Sequence, residues 1–284
     1  MAGMGLVAIK RRIKSITNTT KITRAMGLVA TAKYKKIREK VDINNNYMNA
    51  LKDTIKNLID NYEGDSIYVR GNNSNKKLYV VLTSDTGLCG GFNWSIINEM
   101  MIKLKSNKED YKVIIVGKKG KTILKKLNVE TVAEYIEISD TPSYKEAKTI
   151  INNALSMYSS GDIGEVHIVY KKLISSLKNE VKIEKILPLN ADSEVKNSKE
   201  YVDIEAIDEK LMYEIATLFL SGKMLNSMLH SKASEHRTRM QSMGSATDNA
   251  NEILDKLKLS YNRIRQSAIT QAISEIVGGA EAQR

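Results

Sequence analysis

LVAIKRRIKSITNTTKITRAMGLVATAKYKKIREKVDINNNYMNALKDTIKNL, residues 6–58, contains no proline and repeats an inward position at alternating steps of three and four. The seam runs Leu6, Ile9, Ile13, Ile16, Thr20, Thr23, Gly27, Ala30, Tyr34, Ile37, Val41, Asn44, Met48, Leu51, Ile55 and Leu58, and twelve of the sixteen are apolar. A period of 3.5 sustained over more than seven heptads is the pattern of a coiled coil. Such a helix is roughly 85 Å long. It needs a partner helix to cover so long a stripe.

The C-terminal segment supplies one. Its seam runs Ile204, Ile207, Leu211, Ile215, Leu218, Gly222, Leu225 and Leu229, then Met240, Met243, Thr247, Ala250, Leu254, Leu257, Tyr261, Ile264 and Ala268, with a polar interruption at Lys232 and His236. Chain direction makes the pair antiparallel. Setting Leu58 level with Ile207 gives facing residues a total of about 265. That register brings the polar stretch Thr20, Thr23, Gly27 beside His236 and Arg239. Two readings stand: coincidence, or a level where the coil meets something else. The same register leaves about fifteen to twenty residues of the second helix unpaired, roughly 25 Å, ending at Val277 where Gly278-Gly279 can stop it. The overhang, RQSAITQAISEIVGG, is apolar or small on most sides and calls for a surrounding socket.

Residues 77–190 change character. KLYVVLT (77–83), KVIIVG (112–117) and VHIVYKKL (166–173) read as strands, and EVKIEKILPL (180–189) as an edge strand. WSIINEMMIKL (94–104), KKGKTILKKL (118–127) and SYKEAKTIINNALSMYSS (143–160) read as helices. Alternating strands and helices imply a parallel or mixed sheet. The expected fold class is therefore an α/β insert domain plus a long antiparallel two-helix coiled coil formed by the chain's two ends. The segments are an N-terminal helix over 1–62, a Rossmann-like α/β insert over 77–190, and a C-terminal helix with its overhang over 204–284. The Asn-rich 71–75 and the polar 190–200 serve as linkers.

Chemistry-bearing motifs are few. GLCGG in SDTGLCGGFN (84–93) sits at a strand–helix junction, where glycines can cradle phosphate on backbone N–H groups. Neither GxGxxG nor a phosphate-loop GK[ST] accompanies it, and no acidic residue follows about twenty positions on, so tight-turn chemistry is the expectation. His167, His230 and His236 have no metal-ligand spacing with Cys89 or with each other. The lone cysteine has no His partner in sequence for a nucleophile's role. It also cannot form an internal disulfide, which fits a reducing compartment. The expectation is no metal, no cofactor and no catalytic residue. No run of eighteen apolar residues exists, and the basic N-terminus lacks the features of a signal peptide.

Charge is unevenly placed. Residues 1–41 hold eleven Lys and Arg against Glu39 alone, which is +10 of the formal +11, whereas 204–284 is neutral. A basic stripe over forty residues implies an acidic partner. One such partner is nucleic acid, but the basic face has almost no aromatics and no groove-reading motif.

IKRRIKSITNTTKITRAMGLVATAKYKK (9–36) and RMQSMGSATDNANEILDKLKLSYNRIRQSAITQAISEIVGGA (239–280) resemble the N- and C-terminal signatures of the gamma subunits of F-type ATP synthases, and SDTGLCGGFN (84–93) resembles that family's strand–turn motif. The resemblance runs end to end. With no transit peptide and no thiol-switch insert, it implies a bacterial subunit, peripheral on the cytoplasmic face of the cell membrane. It implies a rotor standing inside three alpha and three beta subunits, with its foot on the c ring beside the epsilon subunit. By position it implies coupling roles for Met26 and Arg239, and contacts to the beta subunits for Arg265, Gln266 and Thr270. It puts Glu205 at the foot, toward the c ring. The family often carries a larger residue than Gly27 after Met26, so this shaft is expected to be softer there.

Overall fold

The computed structural model describes residues 2–60, 62, 64–107, 110–175, 178–189 and 209–282. They form six helices and five strands: α1 (Ala2–Asp60), α2 (Ile67–Arg70), β1 (Lys77–Leu82), α3 (Phe92–Asn107), β2 (Tyr111–Val116), α4 (Lys118–Lys126), β3 (Ala133–Tyr135), α5 (Tyr144–Ser159), β4 (Glu165–Leu173), β5 (Asn179–Leu187) and α6 (Glu209–Glu281). Two compact units emerge, 1–30 with 239–284 and 31–238. No described helix is long and apolar enough to cross a membrane.

The larger unit is built on one sheet of order β3-β2-β1-β4-β5. β1 pairs in parallel with β2 and β4, β2 in parallel with β3, and β5 closes one edge antiparallel to β4. Alternate residues of the central strands supply two separate cores, as the two-residue period of a strand demands. Tyr79, Val81, Val113, Ile115 and Val169 face α3 and α4, packing with Phe92, Ile96, Met100 and Leu124. Leu78, Val80, Ile114, Val166 and Ile168 face the other way. There they meet Ile150, Ala154 and Tyr158 of α5 and a stripe of α6, namely Met212, Ala216, Leu220, Met224 and Met228.

That α6 stripe corrects the sequence reading. Leu211 and Leu218, expected in the coiled-coil seam, are 43% and 44% exposed, while Met212, Ala216 and Leu220 beside them are sealed. In this part of α6 the sheet competes with α1 for the apolar face, and the sheet takes the residues spaced by four. From Leu220 to Ser234 the helix is covered almost all round, with α1 on one side and the sheet on the other. Ser231 Oγ donates to the Leu82 carbonyl at 3.4 Å and Ser234 Oγ to the Lys171 carbonyl at 3.0 Å, so short side chains let the helix lie against strand ends. The compact units divide inside both long helices, after Ala30 and before Arg239. Ile204, Ile207 and the linker 190–200 lie outside the described residues.

β3 and α2 escape the sequence reading. Three residues are too few to display alternation, and β3 exists because Val132 N donates to Val113 O and Gly117 N to Tyr135 O along the edge of β2.

Candidate interaction surfaces of the paired helices

In the smaller unit the paired segments meet along the expected seam. Thr20, Ala30, Met243, Thr247, Ala250 and Leu254 are buried, and Ile9, Ile13, Ile16, Leu257, Tyr261 and Ile264 are partly buried. Thr23 and Thr247 share a hydrogen bond of 2.8 Å between their hydroxyls, and a β-carbon at Gly27 would lie 3.5 Å from Met243 Cβ. Facing residues thus total 270, not 265. Met26, partly buried, lies level with Gly244. Arg239, buried, is displaced from it by five residues, about 7.5 Å along the axis. A seam repeating every three or four residues looks alike after a small slip, so the register could not be read from the apolar pattern. Lys10, Arg11, Arg12, Lys14, Lys21 and Arg24 are all exposed, so the basic bias becomes a cationic surface on this unit.

The end of α6 carries the most open apolar surface. Ile269, Ile273, Ile276 and Val277 are between 52% and 72% exposed. At about 100° per residue they fall within roughly 100° of the helix circumference, with Arg265 just beyond one edge, Thr270 just beyond the other and Gln266 within the stripe one turn before Thr270, all three exposed. The opposite face is Ser267, Gln271, Ser274 and Glu275 with small residues between. The helix does not stop at Val277. It runs through Gly278-Gly279 to Glu281, with Ala282 N donating to Gly278 O. A one-sided apolar stripe of this kind is a candidate binding face.

In the larger unit the polar interruption of α6 has its own partners. His236 Nε2 lies 3.6 Å from Asp140, whose other carboxylate oxygen takes a 2.6 Å bond from Lys33 of α1. Lys232 pairs with Glu235 at 3.3 Å, both buried. Hydrogen bonding to Lys33 and the charges around it hold the Asp140 carboxyl below its usual range, against the burial that would raise it. His236 therefore answers the loop after β3 and Lys232 its helix neighbour Glu235, not the threonines of α1. His167 stacks on Tyr79 with ring centroids 5.1 Å apart, and its Nε2 sits 3.0 Å from Glu165. His230 lies beside Asn45.

The SDTGLCGGFN turn is knit to itself and to α4. Ser84 N donates to Asn93 Oδ1 and Asn93 Nδ2 to Ser84 Oγ, at 2.9 and 2.8 Å. Cys89 is buried beside them. Asp85 accepts from the backbone N–H of Lys118 and of Glu137, both at 3.0 Å, so its carboxylate occupies the anion-favouring start of α4. The tripeptide Gly120-Lys121-Thr122, a GK[ST] match apart from the GLCGG turn, lies in the first turns of that helix. Gly117 (φ 103°) and Gly120 there are pressed against Thr83.

Residues 5–283 match the family model described as ATP synthase. Over all 284 residues, and over the whole of each relative, the chain is 52% identical to the ATP synthase gamma chain of Clostridium botulinum and 48% identical to that of Clostridium novyi.

The chain belongs to the ATP synthase gamma-chain family.

Solved structures agree on the fold. A chain of the Euglena gracilis mitochondrial ATP synthase, in an assembly of OSCP, F1 and c-ring, matches with a TM-score of 0.75 at 17% identity, covering 99% of this chain and 95% of that one. A chain from the central stalk and c-ring of the Tetrahymena thermophila mitochondrial enzyme matches at 0.60 and 22%, covering 79% and 99%. Of the residues carried over by family resemblance, Met26 and Arg239 fall in the smaller unit at different levels, and Arg265, Gln266 and Thr270 share the end of α6. Glu205 lies outside the described residues. Sequence reasoning missed the Asp140 hub, since no local pattern tells a loop acid that two helices will converge on it.

Proposed function

We propose that this gamma-family chain, the central stalk of an ATP synthase, is a non-catalytic rotor shaft. It couples ion-driven rotation of a membrane c ring to ATP synthesis or hydrolysis in a ring of three alpha and three beta subunits. Its working segments are the helix over 1–62, the insert over 77–190 and the helix over 204–284. The apolar stripe of Ile269, Ile273, Ile276 and Val277 seats in the collar formed by alpha and beta, with Arg265, Gln266 and Thr270 contacting beta. Met26 and Arg239 contribute to coupling, and the cationic face of residues 10–24 meets acidic loops of beta. The foot, including Glu205, rests on the c ring beside epsilon, so the chain is a peripheral protein on the cytoplasmic face of the membrane. A single shaft that touches three identical subunits differently gives each a different nucleotide affinity at any instant.

The exposed stripe at the end of α6 carries this reading: four large aliphatic side chains on one face of a helix end offer apolar surface whose burial against another surface is favourable. The test replaces Ile269, Ile273 and Val277 by serine and reconstitutes the chain with alpha and beta, then with the membrane sector that holds the c ring in sealed vesicles. Weakened assembly together with a lower ratio of ions pumped per ATP hydrolysed is expected. Unchanged assembly and coupling would overturn the assignment of this stripe to the collar.

A further inference from the structure

We propose that Asn44, Asn45, Asn226 and His230 form a register clasp that fixes α1 axially against α6, so that the two helices turn as one body. Asn226 Nδ2 donates one proton to Asn44 Oδ1 and the other to Asn45 Oδ1, both at 2.9 Å. His230 Nε2 donates to the same Asn45 oxygen at 3.0 Å. Asn226 and His230 are buried, and the clasp sits inside an otherwise apolar contact of Ile37 and Val41 with Leu229 and Ala233. One turn further along, Met48 lies over Gly222, where a β-carbon would come within 3.0 Å of its sulfur.

The need for such a device follows from the packing. α6 is held to the sheet by its five-residue stripe and by Ser231 and Ser234. α1 lies chiefly on α6, through a seam that repeats every three or four residues. A slip of seven residues would leave the apolar count nearly unchanged. It would also set Ile37 or Leu51 opposite Asn226, stranding a buried amide and an imidazole without partners. Polar groups in a coiled-coil seam specify register in this way, at some expense of stability. An assembly that transmits torque through the pair gains from a seam that cannot slide, which is the sense in which the clasp rests on the rotor reading.

The test uses the full-length chain with Cys89→Ser and cysteine pairs placed for disulfide trapping. Val41→Cys with Leu229→Cys reports the native register, and Tyr34→Cys with Leu229→Cys or Met48→Cys with Leu229→Cys reports the two registers slipped by seven residues. With the clasp intact the native pair should oxidise at least tenfold faster than either slipped pair. The triple replacement Asn45→Leu, Asn226→Leu, His230→Leu should bring the slipped pairs to within about threefold of the native one, with an unchanged or higher Tm. Asn45→Gln, which keeps an acceptor, should restore the preference relative to Asn45→Ala, and this milder pair decides the matter should the triple variant not fold. Exclusive native trapping in both Asn45→Ala and the triple variant would overturn the clasp. Because trapping is read on the isolated chain, it stands apart from the rotor reading, which fails instead if the wild-type chain does not assemble with alpha and beta.

Discussion

Two glycines in helices show how the same substitution takes opposite signs. Gly27 lies inside the unbroken helix α1, and the β-carbon of an alanine there would make ordinary contact with Met243 at 3.5 Å. Gly27→Ala should therefore stabilise the chain by up to about 1 kcal/mol through helix propensity alone. Gly120 also sits in a helix, but an added β-carbon would lie 2.3 Å from Thr83 Oγ1 and 2.7 Å from Ile115 Cδ1. Gly120→Ala should destabilise by about 1–3 kcal/mol in spite of its better propensity. Thermal melts of the two variants check both signs. His230 makes a third residue-scale case. Burial first, then the nearby cations Lys172 and Lys223, push its imidazole down to about 4. The folded state therefore binds fewer protons than the unfolded one between the ordinary histidine value, about 6.5, and pH 4. Its contribution is intact above pH 6.5 and is lost as pH falls through that window, on the order of 3 kcal/mol in all. Urea titrations from pH 7 to 4.5 should show the slope in wild type and a shallower one in His230→Gln, since glutamine does not titrate.

At the scale of elements, α6 changes partner along its length. Near its start the buried stripe of Met212, Ala216, Leu220, Met224 and Met228 follows the sheet, and Leu218 is left half in water. Leu220→Ala should cost about 2–5 kcal/mol, whereas Leu218→Ala should stay within about 0.5 kcal/mol. Equal effects would show that both sides of the helix are packed alike. The far end has the opposite character. Beyond Ala268 every described side chain is exposed, and with facing residues totalling 270 nothing in α1 lies opposite. Cutting the chain after Arg263 should therefore lower Tm by only a few degrees and remove helical signal roughly in proportion to the residues lost, because an unpaired helix end contributes little stability. A truncated chain that unfolds altogether would mean the end of α6 is an integral part of the fold.

At the scale of the whole molecule the proposed role is transmission, and it carries a test of its own. Asp85 already fills the anion-favouring start of α4, and the Gly120-Lys121-Thr122 tripeptide follows inside the helix without the open loop that wraps a nucleotide's phosphates. Calorimetric titration of the isolated chain with Mg-ATP should find no micromolar site, and the chain alone should release no phosphate. The sequence by itself determined the long helices, because a 3.5-residue repeat is a local property that fifty residues state many times over, and it determined the α/β alternation between them for the same reason. It also located the basic face and the apolar end of α6, since charge and hydropathy along a helix need no partner to be seen. Only the tertiary structure decided which side of α6 the sheet would take, why Lys232 and His236 interrupt the seam, and that Thr23 meets Thr247 instead of His236 and Arg239. Each of those outcomes depends on a competition between surfaces far apart in the chain. A repeating apolar seam is nearly indifferent to sliding, so the register is set by single polar contacts, such as Asn226 on Asn44 and Asn45, whose partners appear only once the chain has folded.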